Sequence, residues 1–234
     1  MGLRKWHSPT QSFGDVTFYN SRRGQEAILC CTGPSLEKSP LDKIQQSKKL
    51  IVGLNNAFLK IKPDIWIGFD EPEAFADSLW HTSFDKFYNS AWEREGYEGQ
   101  PIKEVAGMHF FNVMRATDLI KLSPSELQGL ASNRPYMDFL YEGCTFSVAM
   151  SILKWMGIGK IYLVGCDMGG SNKLSAAGPK YNKEEYDIEA QENAIANALS
   201  LLKDIVKYNG FELVSCTPNS PINEFMEYLP AANL

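Results

Sequence analysis

The chain has 234 residues, 44% of them apolar, and its 23 basic and 28 acidic side chains give a net charge of −5. That is enough apolar material for a sizeable core in one α/β domain, and the mild acidic balance excludes a broad basic nucleic-acid surface. No stretch approaches the roughly 18 apolar residues of a membrane span, and the N-terminus carries no apolar run after its charges, so neither a membrane span nor a signal peptide is expected and the location predicted is cytoplasmic.

Ala27–Cys31 is a short apolar run closed by Thr32-Gly33-Pro34-Ser35, which predicts a buried strand and a turn. Leu50–Asn56 and Asp64–Glu71 repeat the pattern, each ending in short polar or acidic residues. Residues 72–108 read as an irregular insertion rich in aromatics, among them Trp80, Phe84, Phe87, Tyr88, Trp92 and Tyr97. His109–Val113 predicts a fourth strand. Thr145–Met156 places Phe146, Ala149, Ile152, Leu153 and Met156 on one helical face, with Gly157 as the stop. Lys160–Asp167 is the clearest strand, and residues 168–183 form a predicted lid loop at its end. Lys183–Tyr208 is a long helix pattern ended by Asn209-Gly210, and Phe211–Cys216 is the last strand.

Continuous apolar runs, rather than alternating ones, belong to strands buried on both faces, and strands separated by helices belong to a parallel sheet. The fold class predicted is therefore a Rossmann-like, doubly wound, mainly parallel α/β sheet with helices on both faces, in a single domain over 1–234. Five cysteines, Cys30, Cys31, Cys144, Cys166 and Cys216, are odd in number and show no CxxC spacing, so they are expected to be small buried hydrophobes rather than disulfides or a zinc site.

In open α/β sheets, ligands bind beyond the carboxyl ends of the strands. The polar residues that end the runs are Thr32-Gly33-Pro34-Ser35, Asn55-Asn56, Asp70-Glu71 and Asp167, and their convergence on one edge outweighs any single motif. Gly33 permits close backbone approach, Pro34 fixes the turn, and Ser35 either caps the next helix or offers its hydroxyl to a phosphate. Neither GxGxxG nor GxxxxGK[ST] is present. Asp70, Glu71 and Asp167 are carboxylates of the kind that hold a divalent metal, with a helix cap at Pro72 as the plain alternative for Asp70. An acid at the end of so apolar a strand, as Asp167 is, needs a partner. Gly143-Cys144-Thr145 precedes a helix, where Thr145 is a natural cap and free amides can meet an anion. Asn219-Ser220 follows the last strand. His7, His81 and His109 are scattered and are read as structural or surface residues.

These residues together resemble two related families: the bacterial lipooligosaccharide sialyltransferases that use CMP-sialic acid, and the MptE-like family, which includes hydroxymethylpterin pyrophosphokinases. The segments that carry the resemblance are Gly33-Pro34-Ser35-Leu36, Asn55, Gly143-Cys144-Thr145 and the run from Gly159 to Asp167, and they fall within residues 27–71 and 141–230. Cys216-Thr217-Pro218-Asn219-Ser220-Pro221 looks especially like the sialyltransferases. The resemblance implies a nucleotide or nucleotide-sugar donor in the crevice, with Thr32, Gly33, Pro34, Ser35, Asn55 and Asn56 at its phosphate and ribose, Gly143, Cys144 and Thr145 beside the nucleotide or sugar, Asp167 closing the central strand, and Asn219 and Ser220 at the nucleotide end. The sialyltransferases carry a catalytic histidine before the last long helix, where this chain has Tyr186-Asp187-Ile188-Glu189 instead. Glu189 is then the candidate general base, and Tyr181 and Tyr186 are candidates for easing departure of the phosphate.

Three readings stay open on these residues. The first is a glycosyltransferase needing no cofactor. The second is an Mg²⁺-dependent pyrophosphokinase with Asp70, Glu71 or Asp167 at the metal. The third is a non-catalytic nucleotide-binding module. The acceptor and any homo-oligomer are left open.

Overall fold

The computed structural model describes residues 3–7, 12–16, 18–115, 139–141, 144–168, 188–207 and 212–234. Their strands are β1 (Leu3–His7), β2 (Ser12–Val16), β3 (Glu26–Cys30), β4 (Leu50–Leu54), β5 (Ile65–Gly68), β6 (Asp85–Asn89), β7 (Gly96–Tyr97), β8 (Gln100–Pro101), β9 (Met108–Phe111), β10 (Val113–Arg115), β11 (Phe139–Tyr141), β12 (Lys160–Val164), β13 (Glu212–Ser215) and β14 (Glu227–Tyr228). The helices are α1 (Leu41–Gln46), α2 (Thr145–Trp155) and α3 (Ile188–Lys207), with several short 3-10 turns between strands.

Ten strands form one sheet in the order β14-β13-β12-β3-β4-β5-β6-β9-β1-β2. The pairings from β14 through β9 are all parallel, and the β1–β2 hairpin adds to β9 antiparallel. The expected α/β class and mainly parallel sheet are thus observed, and each of the six predicted strands is present. The β3, β4, β5 and β12 strands are buried along nearly their whole length, which is why their sequences are unbroken apolar runs.

The two faces of the sheet bury different material. Leu29, Val52, Ile67, Phe87 and Leu163 face one way and pack with Phe146, Ala149, Ile152 and Leu153 of α2 and with Ala198 and Leu202 of α3. Ile28, Cys30, Ile51, Tyr162 and Val164 face the other way and meet Leu36 and Ile44. Toward β5, β6 and β9 that second face carries a lobe of Trp66, Phe75, Trp80, Tyr88 and Phe110. The α2 helix runs as its spacing predicts and ends ahead of Gly157. The α3 helix is described from Ile188, so the predicted start at Lys183 and the Asn209-Gly210 stop lie outside the described residues.

The segment 72–108 corrects the sequence reading in one respect. It is not irregular throughout: Asp85–Asn89 is a strand in the sheet interior, between β5 and β9. The strand was hidden because its sequence, Asp-Lys-Phe-Tyr-Asn, lacks an apolar run. Lys86 is nevertheless fully buried, and its ammonium donates to the carbonyls of Thr82 (2.7 Å), Ala106 (2.8 Å) and Phe84 (3.2 Å). Three N–H donors meet three acceptors, which offsets the cost of burying the charge. Apart from Phe87, which joins the core on the α2 face, the aromatics of this segment form a satellite core with Trp66, where Trp66 and Phe75 meet edge to face at 5.0 Å and Trp80 and Tyr88 lie 5.8 Å apart.

Candidate functional site

The chain runs outward from β3 through β4, β5, β6 and β9 in one direction, and from β12 through β13 and β14 in the other. The switch point of the sheet is therefore between β3 and β12. The crevice beyond the carboxyl ends of strands at such a point is the usual ligand position in open α/β sheets. Thr32–Ser35 leaves β3, Asn55-Asn56 leaves β4, Asp167 follows β12, and Asn219-Ser220 follows β13. These strands are immediate neighbours in the order β13-β12-β3-β4. At about 4.8 Å per strand, the expected residues share one edge spread over roughly 14 Å.

The loops are wired to one another at the switch point. The Gly33 N–H donates to the Gly165 carbonyl at 2.9 Å. The Ser35 hydroxyl and N–H both donate to Asp167 Oδ2, at 2.8 and 3.2 Å. Asp167 thus has the partner that its place after an apolar strand demands. A Cβ at Gly33 would lie 2.0 Å from Asp167 Oδ2 and 2.5 Å from the Gly165 carbonyl, so glycine is required there by packing. The cap expected of Ser35 is corrected: Gly33 holds the N-cap position of the turn Pro34–Lys38, and Ser35 reaches across to β12's loop instead.

Loop β13 joins the same network through a residue that the sequence reading passed over. Thr217 Oγ1 donates to the Leu163 carbonyl at 3.1 Å and accepts from the Cys166 N–H at 2.9 Å. The Ser220 hydroxyl donates to the Cys166 carbonyl at 2.7 Å. Thr217 and Ser220 are buried, so Ser220 braces the loop, whereas Asn219 beside it is exposed with φ 57°. Asn219, Ser220, Pro221, Asn223, Glu224 and Tyr228, with Pro218, line a groove of about 490 Å³. The signal for Thr217 was its place two residues beyond a buried strand, but its partners lie more than fifty positions away in sequence.

Asn55 also has a left-handed backbone, φ 47°, and its carbonyl accepts from Trp66 Nε1 at 2.6 Å. Its Oδ1 is buried with no hydrogen-bond partner among the described residues. Asn56 turns away: its amide donates to the Ala74 carbonyl at 3.1 Å and accepts from the Ala76 N–H at 3.0 Å, tying β4 to the aromatic lobe. Cys144, not Thr145, takes the N-cap position of α2, with no side-chain cap bond, and Thr145 is buried in the first turn. Asp70 does not cap the turn at Pro72, where Glu71 holds the cap position without a side-chain bond. The Asp70 carbonyl accepts from the Tyr88 hydroxyl at 2.7 Å. Among the described residues no three His, Cys, Asp or Glu side chains gather in a way that could hold a metal ion.

Gly143, Tyr181, Tyr186 and residues 169–183 of the expected lid lie outside the described residues. Glu189 falls in the first turn of α3, and its side chain is likewise outside them. His109 is buried, with Nε2 3.1 Å from Asp85 Oδ1. That hydrogen bond is the largest cause holding the Asp85 carboxyl below the ordinary carboxylate range.

All five cysteines are free. Burial pushes the Cys216 thiol up to about 12 and raises Cys30. A hydrogen bond with Cys166, followed by burial and the charge of Asp167, raises Cys31. No described helix is long and apolar enough to cross a membrane.

No family model matches the chain, and no curated protein matches it. Among solved structures, it is similar to the sialyltransferase CST-II in complex with a trisaccharide acceptor and CMP, at 14% identity and a TM-score of 0.50, covering 90% of this chain and 88% of that one. It is also similar to the monofunctional α-2,3-sialyltransferase Cst-I from Campylobacter jejuni, at 15% identity and a TM-score of 0.49 over 90% and 82% of the two chains. The likeness to CST-II shows the fold: a Rossmann-like α/β domain with a mainly parallel sheet.

Proposed function

We propose that this chain is a nucleotide-dependent transferase, a glycosyltransferase acting on a CMP-sugar donor. The observation that carries the reading is the gathering of Gly33, Asn55, Asp167 and Asn219 on one edge of four adjacent strands at the switch point. The shared fold with a sialyltransferase whose structure contains CMP and a trisaccharide acceptor supports it. In this reading the loops after β3, β4 and β13 meet the nucleotide, and the orphan Oδ1 of Asn55 accepts from a ligand hydroxyl or amine. Glu189 takes the proton of an acceptor hydroxyl as that oxygen attacks the sugar and the bond to the nucleotide phosphate breaks. Tyr181 and Tyr186 stabilise the departing phosphate. No metal is needed for this displacement.

Thermal unfolding with CMP, CDP, UDP and ATP, each with and without Mg²⁺, tests the reading. A ligand that binds only the folded chain adds about 2.7 kcal/mol at a hundred times its Kd. The expected result is a rise in Tm with CMP that is the same with and without Mg²⁺ and is reduced by Asn55→Ala. A rise with ATP alone, dependent on Mg²⁺, replaces this reading with the pyrophosphokinase. No rise with any nucleotide overturns it.

A further inference from the structure

Three ring donors of the aromatic lobe reach the backbone carbonyls that follow β4 and β5. Trp66 Nε1 donates to Asn55 at 2.6 Å, the Tyr88 hydroxyl to Asp70 at 2.7 Å, and Trp92 Nε1 to Phe69 at 2.9 Å. Buried indoles and phenols need an acceptor, but ring packing alone does not require that all three acceptors lie at the carboxyl edge of the sheet. The first bond falls on a residue with an unusual backbone. Asn55 opens the turn Asn55–Leu59 with φ 47°, a left-handed conformation that costs energy outside glycine and persists where the surroundings support it. The ring supplying that support is itself aimed. Trp66 is fully buried, and Gly68, two residues on and on the same face of β5, gives the indole room. A Cβ at Gly68 would lie 2.1 Å from Cη2 and 2.3 Å from Cζ2 of Trp66. Gly68 has no left-handed backbone, so the ring lying over it is what requires glycine there.

We propose that Trp66 is a positioning residue of the candidate site, its indole N–H holding Asn55 in the left-handed conformation that shapes the loop after β4, with Gly68 clearing the path of the ring. Trp66 acts through the Asn55 carbonyl and touches no ligand itself. Asn56 adds a second tie, its amide spanning the Ala74 carbonyl and the Ala76 N–H, so the first two residues of the loop are both anchored to the lobe. The aromatic segment thereby does more than fill one face of the sheet: its polar ring atoms set the course of two strand-end loops. Without the indole bond, Asn55 relaxes toward the right-handed or extended backbone that a non-glycine residue prefers, and its side chain leaves its place at the edge. If a variant populates the native form a tenth of the time, the apparent Kd of a ligand that requires that form rises about tenfold. The hold on Asn55 stands independently of the transferase reading, whereas its effect on nucleotide rests on that reading.

Three variants test the proposal. Trp66→Phe removes the N–H, and Gly68→Ala keeps the indole but displaces it. Ile102→Ala removes apolar atoms from the same lobe, where Ile102 is fully buried, and controls for lost packing alone. The carbon chemical shifts of Asn55, measured by NMR, report its backbone conformation, and titration with CMP gives Kd at a temperature where every chain is folded. The expected result is a left-handed Asn55 in the unmutated chain and in Ile102→Ala, its loss in Trp66→Phe and Gly68→Ala, and a Kd for CMP about tenfold higher in those two alone. Should Trp66→Phe fail to fold, Gly68→Ala decides. A left-handed Asn55 that survives Gly68→Ala overturns the hold of Trp66 on the loop. A displaced Asn55 with an unchanged Kd for CMP overturns the positioning role. An equal rise in Kd in Ile102→Ala overturns the assignment to Trp66, since loose packing would then suffice. Absence of CMP binding in the unmutated chain overturns the transferase reading and leaves the result on Asn55 standing.

Discussion

The two flanks of β4 are held together by different physics. On the β3, β12 and β13 side, the loops are joined by hydrogen bonds between residues distant in sequence: Ser35 to Asp167, Thr217 to Leu163, and Ser220 to Cys166. On the β5, β6 and β9 side, rings of Trp66, Phe75, Trp80 and Tyr88 pack at centroid separations of 5.0–6.5 Å around a strand whose buried ammonium satisfies three carbonyls. Directional bonds fix positions closely, as a ligand edge needs. Ring packing buries area with less demand on angle, as a supporting lobe needs. The difference separates substitutions that unfold the chain from those that misplace a loop.

Lys86→Met gives the largest effect expected. It keeps the length of the side chain but leaves three buried carbonyls facing a thioether. At 1–3 kcal/mol for each unsatisfied group, partly relieved by rearrangement, the cost is about 4 kcal/mol in urea unfolding. Burial also pulls Lys86 down to about 8. The unfolded chain, with a lysine near 10.4, then binds more protons between those values, so the Lys86 contribution raises stability as pH climbs from about 8 to about 10.4. The variant lacks that slope. A loss under about 1 kcal/mol would mean that the lobe does not depend on its ammonium.

Gly33→Ala comes second. The backbone at Gly33, φ −66° and ψ 156°, suits alanine, so the whole effect is the collision of the new methyl with Asp167 and the Gly165 carbonyl. Overpacking of this kind costs about 2–3 kcal/mol, and the displaced Asp167 should abolish the CMP response at temperatures where the variant is still folded. A variant with native Tm and native CMP response would show that the two loops yield freely.

The smallest effect belongs to Asp85→Asn. The folded carboxyl lies below its unfolded value, so its stabilisation is present above about pH 4 and is lost as pH falls through the folded value. With the Asp85 side chain 45% exposed, solvent screening keeps the contribution under about 1 kcal/mol at pH 6. Acid unfolding of the variant should show a correspondingly shallower limb. An unchanged limb would mean that His109 stabilises nothing through Asp85.

The same division sets what could be read from the sequence. Strands sandwiched between layers announce themselves as Ile-Leu-Cys or Leu-Ile-Val runs, and the residues ending them point to the edge they reach. The strand at Asp85–Asn89 escaped because a lysine satisfied by carbonyls looks, in sequence, like a solvated one. The hairpin β1–β2 escaped for a related reason: Leu3–His7 has Arg, Lys and His in a strand that is only partly buried. At the site, strand-end reasoning assembled Gly33, Asn55, Asp167 and Asn219, yet it could not separate the exposed Asn219 from the bracing Ser220, nor Asn55 from Asn56. Those roles depend on partners such as Cys166 and Ala74, which adjacency in sequence does not reveal.

The order of the strands also bears on how the chain is made. β3 is paired on one side with β4 and on the other with β12, which begins at Lys160. As synthesis proceeds, β4, β5, β6 and β9 can add in turn to one flank of β3 while the opposite flank waits for two-thirds of the chain to emerge. During that interval β3, an interior strand of the finished sheet, is an open apolar edge, the kind that captures foreign strands. The nascent chain is most exposed to misassembly just before Lys160–Val164 leaves the ribosome, and the arrival of those five residues ends that exposure.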